Sequence, residues 1–284
     1  MTSVGTRDLS LIKRVIVAVV CAPVIVWLFL SRGLPLFIFL AALTLIGQGE
    51  LFSMFGNRIC FAHRITGYIA GVLIITDAFI AHSAFFFAIL VVSVIIFFIV
   101  EIVSGNENKL ENITFPLFAT VYPAAFIAFL FKINQFPSLL FSAYMKYLLV
   151  FVLLVIWVFD TASYFAGRAF GKHPFFPRIS PKKTVEGFVG GLIAASILGI
   201  AAGFYIDRIL LGHFFFLSVL ISLAGQAGDL SESIIKRDMD IKDSSNIIPG
   251  HGGVLDRFDS FFFACPAVYG YLVICQWSVV RGPW

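Results

Sequence analysis

Nine apolar runs, each long enough to cross a bilayer, follow one another along this chain: 15–31, 34–55, 65–81, 84–103, 113–131, 146–166, 185–205, 212–230 and 259–280. A backbone in lipid must satisfy its own hydrogen bonds, which leaves helices and closed barrels. Barrel strands alternate apolar and polar residues over roughly ten positions. These runs are continuous, so the expected fold is an all-α polytopic membrane protein of about nine transmembrane helices. Composition agrees. Only 13% of the 284 residues are charged, about half the roughly 25% of soluble domains. So few charges cannot cover a globule, which excludes a soluble enzyme, a nucleic-acid-binding domain and a disordered chain. The first run follows Lys13 and Arg14. No small-residue cleavage site comes after it, so it is read as a retained span rather than a signal peptide. The four cysteines are scattered without a CxxC spacing, so neither a disulfide framework nor a zinc site is suggested.

Basic residues set the expected orientation. With nine spans, one side receives fifteen of the twenty Lys and Arg residues and the other five. The N-terminus is therefore expected in the cytoplasm and the C-terminus outside. Three regions are expected: helices 1–4 over 1–112, a central helix and outer connection over 113–145, and helices 6–9 over 146–284. The last region carries two polar connections on the basic side, 167–184 and 231–258.

The stretch from Asp229 to Asp259 holds seven of the sixteen carboxylates and four cations. Asp229 ends one span, and Asp256 and Asp259 open the next. Three apart on a helix, Asp256 and Asp259 share a face. Acids gathered there repel one another unless compensated. A hard divalent cation resolves that conflict, and oxygen-only ligands favour magnesium. Asp238, Asp240 and Asp243 read more simply as solvated loop charges. The turn Pro249-Gly250-His251-Gly252-Gly253 can bring backbone N–H groups close to a phosphate, or can serve as an ordinary loop. Lys236 and Arg237 would lie just above the acids, where an anion would be held.

The other connection carries similar chemistry. Asp160 and Tyr164 close one span; Lys182, Lys183, Thr184 and Glu186 open the next. A helix N-terminus behind two lysines attracts anions, although anchoring to anionic lipid explains the lysines equally well. Gly187, Gly191 and Ala195, spaced by four, make a small-residue packing face. Glu50 and Asp77 lie within spans, as helix-pairing groups or relays.

The pattern Ser233-x-x-Lys236-Arg237, Lys242-Asp243, Pro249, His251-Gly252-Gly253 and Asp256-Arg257-x-Asp259 resembles the signature of the phosphatidate cytidylyltransferases, the CDP-diacylglycerol synthases. Asp160-Thr161-x-x-Tyr164-Phe165 and Ser180-Pro181-Lys182-Lys183-Thr184-x-Glu186-Gly187 are similar to the same family. Ser163 stands where that family often has Ala. The detailed likeness covers roughly 160–260.

The resemblance implies that CTP and phosphatidate give CDP-diacylglycerol and pyrophosphate. It further implies a magnesium requirement, with a monovalent cation as a further candidate, and a homodimer in the inner cell membrane with its active site on the cytoplasmic face. No nucleic-acid partner is expected. Asp229 and Asp256 are expected to hold metal, with Asp259 beside them. Lys236, Arg237 and Arg257 would hold phosphates, and His251, Gly252 and Gly253 would line the triphosphate. Asp160, Tyr164, Lys182, Lys183, Thr184, Glu186, Ser233 and Lys242 would contact substrate. Whether the paired lysines take CTP or the lipid head group stays open. Two competing readings are a CTP-dependent lipid kinase and an ion-coupled transporter using the intramembrane acids.

Overall fold

The computed structural model describes residues 19–31, 33–56, 59–104, 109–137, 144–248 and 252–281. Every expected apolar run coincides with a helix. In chain order these are α1 (Val19–Ser31), α2 (Gly33–Phe55), α3 (Phe61–Ile80), α4 (Phe86–Ser104), α5 (Lys109–Asn134), α6 (Met145–Phe170), α7 (Val185–Ile206), α8 (Leu211–Asp238) and α9 (Leu255–Arg281). Among the described residues, the eight from α2 to α9 are long and apolar enough to cross a membrane. A two-stranded antiparallel hairpin, β1 (Pro174–Phe176) and β2 (Ser180–Thr184), lies between α6 and α7, with Pro174 opposite Thr184 and Phe176 opposite Ser180.

The chain divides into two compact units: 1–135 with 241–258, and 136–240 with 259–284. In the first, α2, α3 and α5 pack on one another, and α4 packs on α3 and α5. Gln48, fully buried on α2, donates its amide to the Gly67 carbonyl at 3.0 Å. A buried amide crossing between helices in this way supplies what apolar contact alone cannot supply in lipid. Near one end of the same unit, Asn112 Nδ2 donates to Glu101 Oε1 at 3.0 Å, and His63 Nε2 lies 3.9 Å from Glu101 Oε2. These buried polar groups are partnered by one another, as membrane-depth polar residues generally must be.

The second unit is built around α7, packed between α6 and α8. Gly187, Gly191, Ala195, Gly199 and Gly203 form a buried stripe along α7. The expected small-residue face is thus present and two turns longer. A Cβ at Gly187 would stand 2.7 Å from the Ser163 carbonyl of α6, and one at Gly203 2.6 Å from Leu211 Cα of α8. The stripe lets three backbones approach closely.

The two polar connections are shorter than hydropathy suggests. Helix α6 continues to Phe170, α8 continues to Asp238, and α9 begins at Leu255. The extra turns of α8 are polar yet helical. Lys236 Nζ pairs with Glu232 Oε1 at 3.2 Å in i,i+4 register, and Lys236 and Arg237 sit in the last turn, where cations oppose the helix dipole.

Candidate active site

In the second unit, the polar end of α6, the hairpin, and α7 and α8 enclose a pocket of about 510 Å³. Local structure explains how its walls hold. Thr184 caps α7 by accepting the Gly187 N–H at 3.2 Å. Glu186, in the first turn, accepts the Lys172 and His173 N–H groups at 3.1 and 3.3 Å and meets His173 Nδ1 at 2.6 Å. One carboxylate thereby fastens the chain entering the hairpin to the helix leaving it. Phe175 of β1 stacks on Phe188 of α7 with centroids 4.8 Å apart. Arg237 Nε reaches back from α8 to the Ile179 carbonyl at 3.4 Å.

The pocket gathers charge of both signs. Lys183 is ion-paired with Asp229. Asp160, Lys182 and Arg168 also line it, and Arg168 Nη1 donates to the Tyr164 hydroxyl at 3.3 Å. Asp259, on α9, is close enough to Asp229 and Asp160 to be repelled by both and to Lys236 to be attracted. Its Oδ1 accepts the Ser260 N–H at 2.6 Å. Ser233 lies on α8 one turn beyond Asp229. Four carboxylates (Asp160, Glu186, Asp229 and Asp259) and four cations (Lys182, Lys183, Lys236 and Arg237) of the expected set therefore belong to a single unit.

The rest of the expected set, as far as it is described, lies in the first unit, in the loop before α9 and in the first turn of that helix. Its organiser is Glu50 of α2, which is 2% exposed. Glu50 accepts the Val254 and Leu255 N–H groups at 2.8 Å each, and the Ser245 hydroxyl at 2.6 Å. Ser244 Oγ stands 2.9 Å from both Glu50 Oε2 and Asp256 Oδ2. It has one proton to share between them. Asp256 Oδ2 also accepts the Ser244 and Gly253 N–H groups, each at 2.8 Å. The glycines are required here. Gly252 has φ +81°, and a Cβ on it would stand 2.7 Å from Asp256 Oδ2; a Cβ on Gly253 would stand 1.8 Å from Ser244 Oγ. Lys242 and Arg257 are exposed. His251 falls outside the described residues.

Glu50 was not assignable from sequence, although an acid in an apolar span is a functional flag in itself. Ser163, Arg168 and Gln226, which line the pocket, carried no motif of their own. Among the described residues, no three acids, histidines or cysteines are grouped so as to hold a metal ion between them. Asp229, Asp259 and Asp160 nonetheless offer oxygen-only donors with mutual repulsion to relieve. That suits magnesium, which usually takes one or two carboxylates and completes its shell with water and substrate phosphates.

Comparison with known proteins extends over almost the whole chain. Residues 12–275 match the profile of the cytidylyltransferase family. The chain is 35% identical to the phosphatidate cytidylyltransferase of Staphylococcus aureus over 263 residues, 89% of this chain and 95% of that one. It is 37% identical to that of Staphylococcus saprophyticus over 259 residues, with the same coverage. With that of Bacillus subtilis it shares 31% over 273 residues, 92% of this chain and 97% of the relative.

Proposed function

The chain belongs to the cytidylyltransferase family, and from that premise we propose that it joins CTP to phosphatidate, giving CDP-diacylglycerol and pyrophosphate for phospholipid biosynthesis. The observation that carries the reading is the second unit's pocket, where cations and carboxylates meet at the polar ends of membrane-spanning helices. The lipid cannot leave the bilayer and CTP cannot enter it, so the reaction needs a polar site at a helix end.

The chemistry asks for charge management rather than a strong base. A phosphate monoester has a second pKa near ~6 and is already a nucleophilic dianion near neutral pH. Its attack on the α-phosphorus of CTP brings two anions together. Lys236, Arg237 and Arg257 would hold phosphates and stabilise the charge leaving with pyrophosphate. Asp229 and Asp256 would hold magnesium, with Asp259 beside them as a further carboxylate. Bound magnesium would neutralise triphosphate charge and polarise the phosphorus under attack. Gly252 and Gly253 would bring backbone close to the triphosphate. Among the described residues lining the pocket, no nucleophile is paired with a base, which favours a single in-line displacement with inversion at phosphorus.

One assay tests the reading. Purified protein given α-labelled CTP, phosphatidate and magnesium should place label in lipid and release pyrophosphate. Transfer of γ-label with release of CDP would make it a lipid kinase. Ion-driven uptake without CTP turnover would make it a transporter. We place the homodimer in the cell membrane with both polar connections in the cytoplasm. A cysteine replacing the exposed Lys242 should then react with impermeant maleimide only from the cytoplasmic side.

A further inference from the structure

In the first unit, where α3 begins, α4 ends and α5 begins, a thiol, an imidazole and a carboxylate stand in line. Cys60 occupies the N-cap position of α3, is partly exposed, and makes no cap bond with its side chain. Its Sγ instead lies 3.2 Å from His63 Nδ1. His63 is fully buried, and its Nε2 lies 3.3 Å from the Phe97 carbonyl of α4 and 3.9 Å from Glu101 Oε2. A carbonyl can only accept, so Nε2 carries the hydrogen and Nδ1 presents its lone pair to the thiol. Glu101 is buried and is held in turn by Asn112 Nδ2 at 3.0 Å. The order is that of an activated nucleophile: a thiol, a base, and groups that orient the base.

We propose that Cys60 is a covalent modification site that takes an acyl group from an acyl thioester. The sulfur attacks the thioester carbonyl carbon while His63 Nδ1 takes the thiol proton. The bond from that carbon to the donor sulfur then breaks, and the donor leaves as a thiol with the proton returned by Nδ1. One S–acyl bond forms, one breaks, and no oxidant is consumed. Glu101 stabilises the imidazolium that exists between the two proton transfers. The first-turn N–H groups of α3 favour the oxyanion that develops on the carbonyl. The surroundings select an acyl group over a small polar one. Phe61, next to the thiol, is 78% exposed, and Ile65, Ile69 and Val72 continue the exposed apolar strip along α3. Val72 lies eleven positions beyond Phe61, about 16 Å at 1.5 Å per residue, so a chain tethered at Cys60 can lie along the helix in the bilayer. Ile102 and Val103, which follow Glu101, are exposed as well. A cysteine at the end of a membrane span is where such acylation occurs. The proposal does not depend on the cytidylyltransfer reading.

The test gives palmitoyl-coenzyme A to the full-length protein in nonionic detergent micelles. Peptide mapping by mass spectrometry should find a palmitoyl group on Cys60 that neutral hydroxylamine removes, as it removes a thioester. Cys21, which is exposed on α1, should react on the order of 10²-fold more slowly, the lower end of what a positioned base contributes. His63→Gln should slow acylation of Cys60 to a similar extent. Asn112→Ala touches neither thiol nor imidazole, loosens Glu101, and should slow the same reaction by less; it serves where His63→Gln fails to elute as a folded protein. Equal acylation of Cys21 and Cys60 in the wild type overturns the site, because exposure alone would then decide. An unchanged rate at Cys60 in folded His63→Gln overturns it too, by removing the base. A wild type that forms a mixed disulfide at Cys60 with oxidised glutathione but accepts no palmitoyl group would make Cys60 a redox thiol and overturn the acyl assignment.

Discussion

The loop before α9 and the pocket beside α7 contain the same kinds of residue, yet they differ in how their polar groups are spent. In the loop, acceptors and donors consume one another. Glu50 takes two backbone N–H groups and the Ser245 hydroxyl and lies against Ser244, while Asp256 Oδ2 takes two more N–H groups. In the pocket, Gln226 and Ser163 keep open donors and the lysines stand beside carboxylates. A network closed on itself fixes a backbone shape. An open one leaves valences for a ligand. The loop's chemistry should therefore fail through loss of shape, and the pocket's through loss of binding.

The largest effect should come from breaking the closed network at its centre. Glu50→Leu strands two N–H groups and the Ser245 hydroxyl and leaves Ser244 only Asp256, each stranded group at a cost of about 1–3 kcal/mol where buried. The expected result is a fall in melting temperature of several degrees together with a loss of turnover on the order of 10²-fold or more. Fluorescence-detected size exclusion after heating, with labelled CTP turnover on the same sample, reads both. A melting temperature equal to wild type would remove Glu50 as the organiser.

Asp256→Asn separates shape from charge within the loop. Asparagine keeps a carbonyl oxygen that can accept the Ser244 and Gly253 N–H groups, so the loop should persist. The lost negative charge should still lower turnover on the order of 10²-fold, the scale of losing a key electrostatic group. Near-normal turnover at saturating magnesium would leave Asp256 with loop order alone and take it out of the metal site.

Lys236 sharpens the comparison from the second unit's side, because it has a structural partner and a proposed chemical one. It pairs with Glu232, which is 1% exposed. Lys236→Ala should lower kcat roughly tenfold while raising the KM for CTP less, as expected for a charge that matters most when pyrophosphate departs. The drop has a second source, since the buried Glu232 loses its ion pair with Lys236. Lys236→Met with Glu232→Gln removes both charges. Turnover that stays low in the double variant assigns the loss to the phosphates; recovery assigns it to the ion pair.

The helices were legible because hydropathy is a local property, and the boundary errors show its limit. Helix α8 runs past its apolar stretch because Glu232, Lys236 and Arg237 stabilise further turns through charge, which a hydropathy run does not register. The candidate site was legible in residue types more than in jobs. Lys183 and Asp229 were both expected, and they meet. Thr184 and Glu186 were expected to touch substrate, and in the structure each has a local partner, at the α7 cap and at His173. Glu50 could not be placed at all. Its contact with Ser244 spans 194 positions, and nothing in the sequence near either residue points to the other. Gln226 sits inside an apolar run, where one amide reads as a helix-pairing group until the cavity beside it is seen.

The smallest effect expected is also the closest test of whether the loop acts as one unit. Ser245 contributes a single hydroxyl to Glu50 at 2.6 Å and is half-buried. Ser245→Ala leaves the two N–H groups and Ser244 in place, and water can reach the vacated side of the carboxylate. The loss should be about 1 kcal/mol, seen as a small drop in melting temperature and a change in turnover of only a fewfold. Ser244→Ala removes a hydroxyl that is 6% exposed and touches both acids, so it should cost more. The decisive quantity is the coupling. If Glu50 holds the loop through these bonds together, Ser245→Ala should cost almost nothing once Glu50→Leu is present, and the double-variant cycle should show an interaction energy comparable to the single effect. Strict additivity would mean that Ser245 stabilises the loop by some route other than Glu50, and the closed network would then be two separate contacts that happen to share a carboxylate.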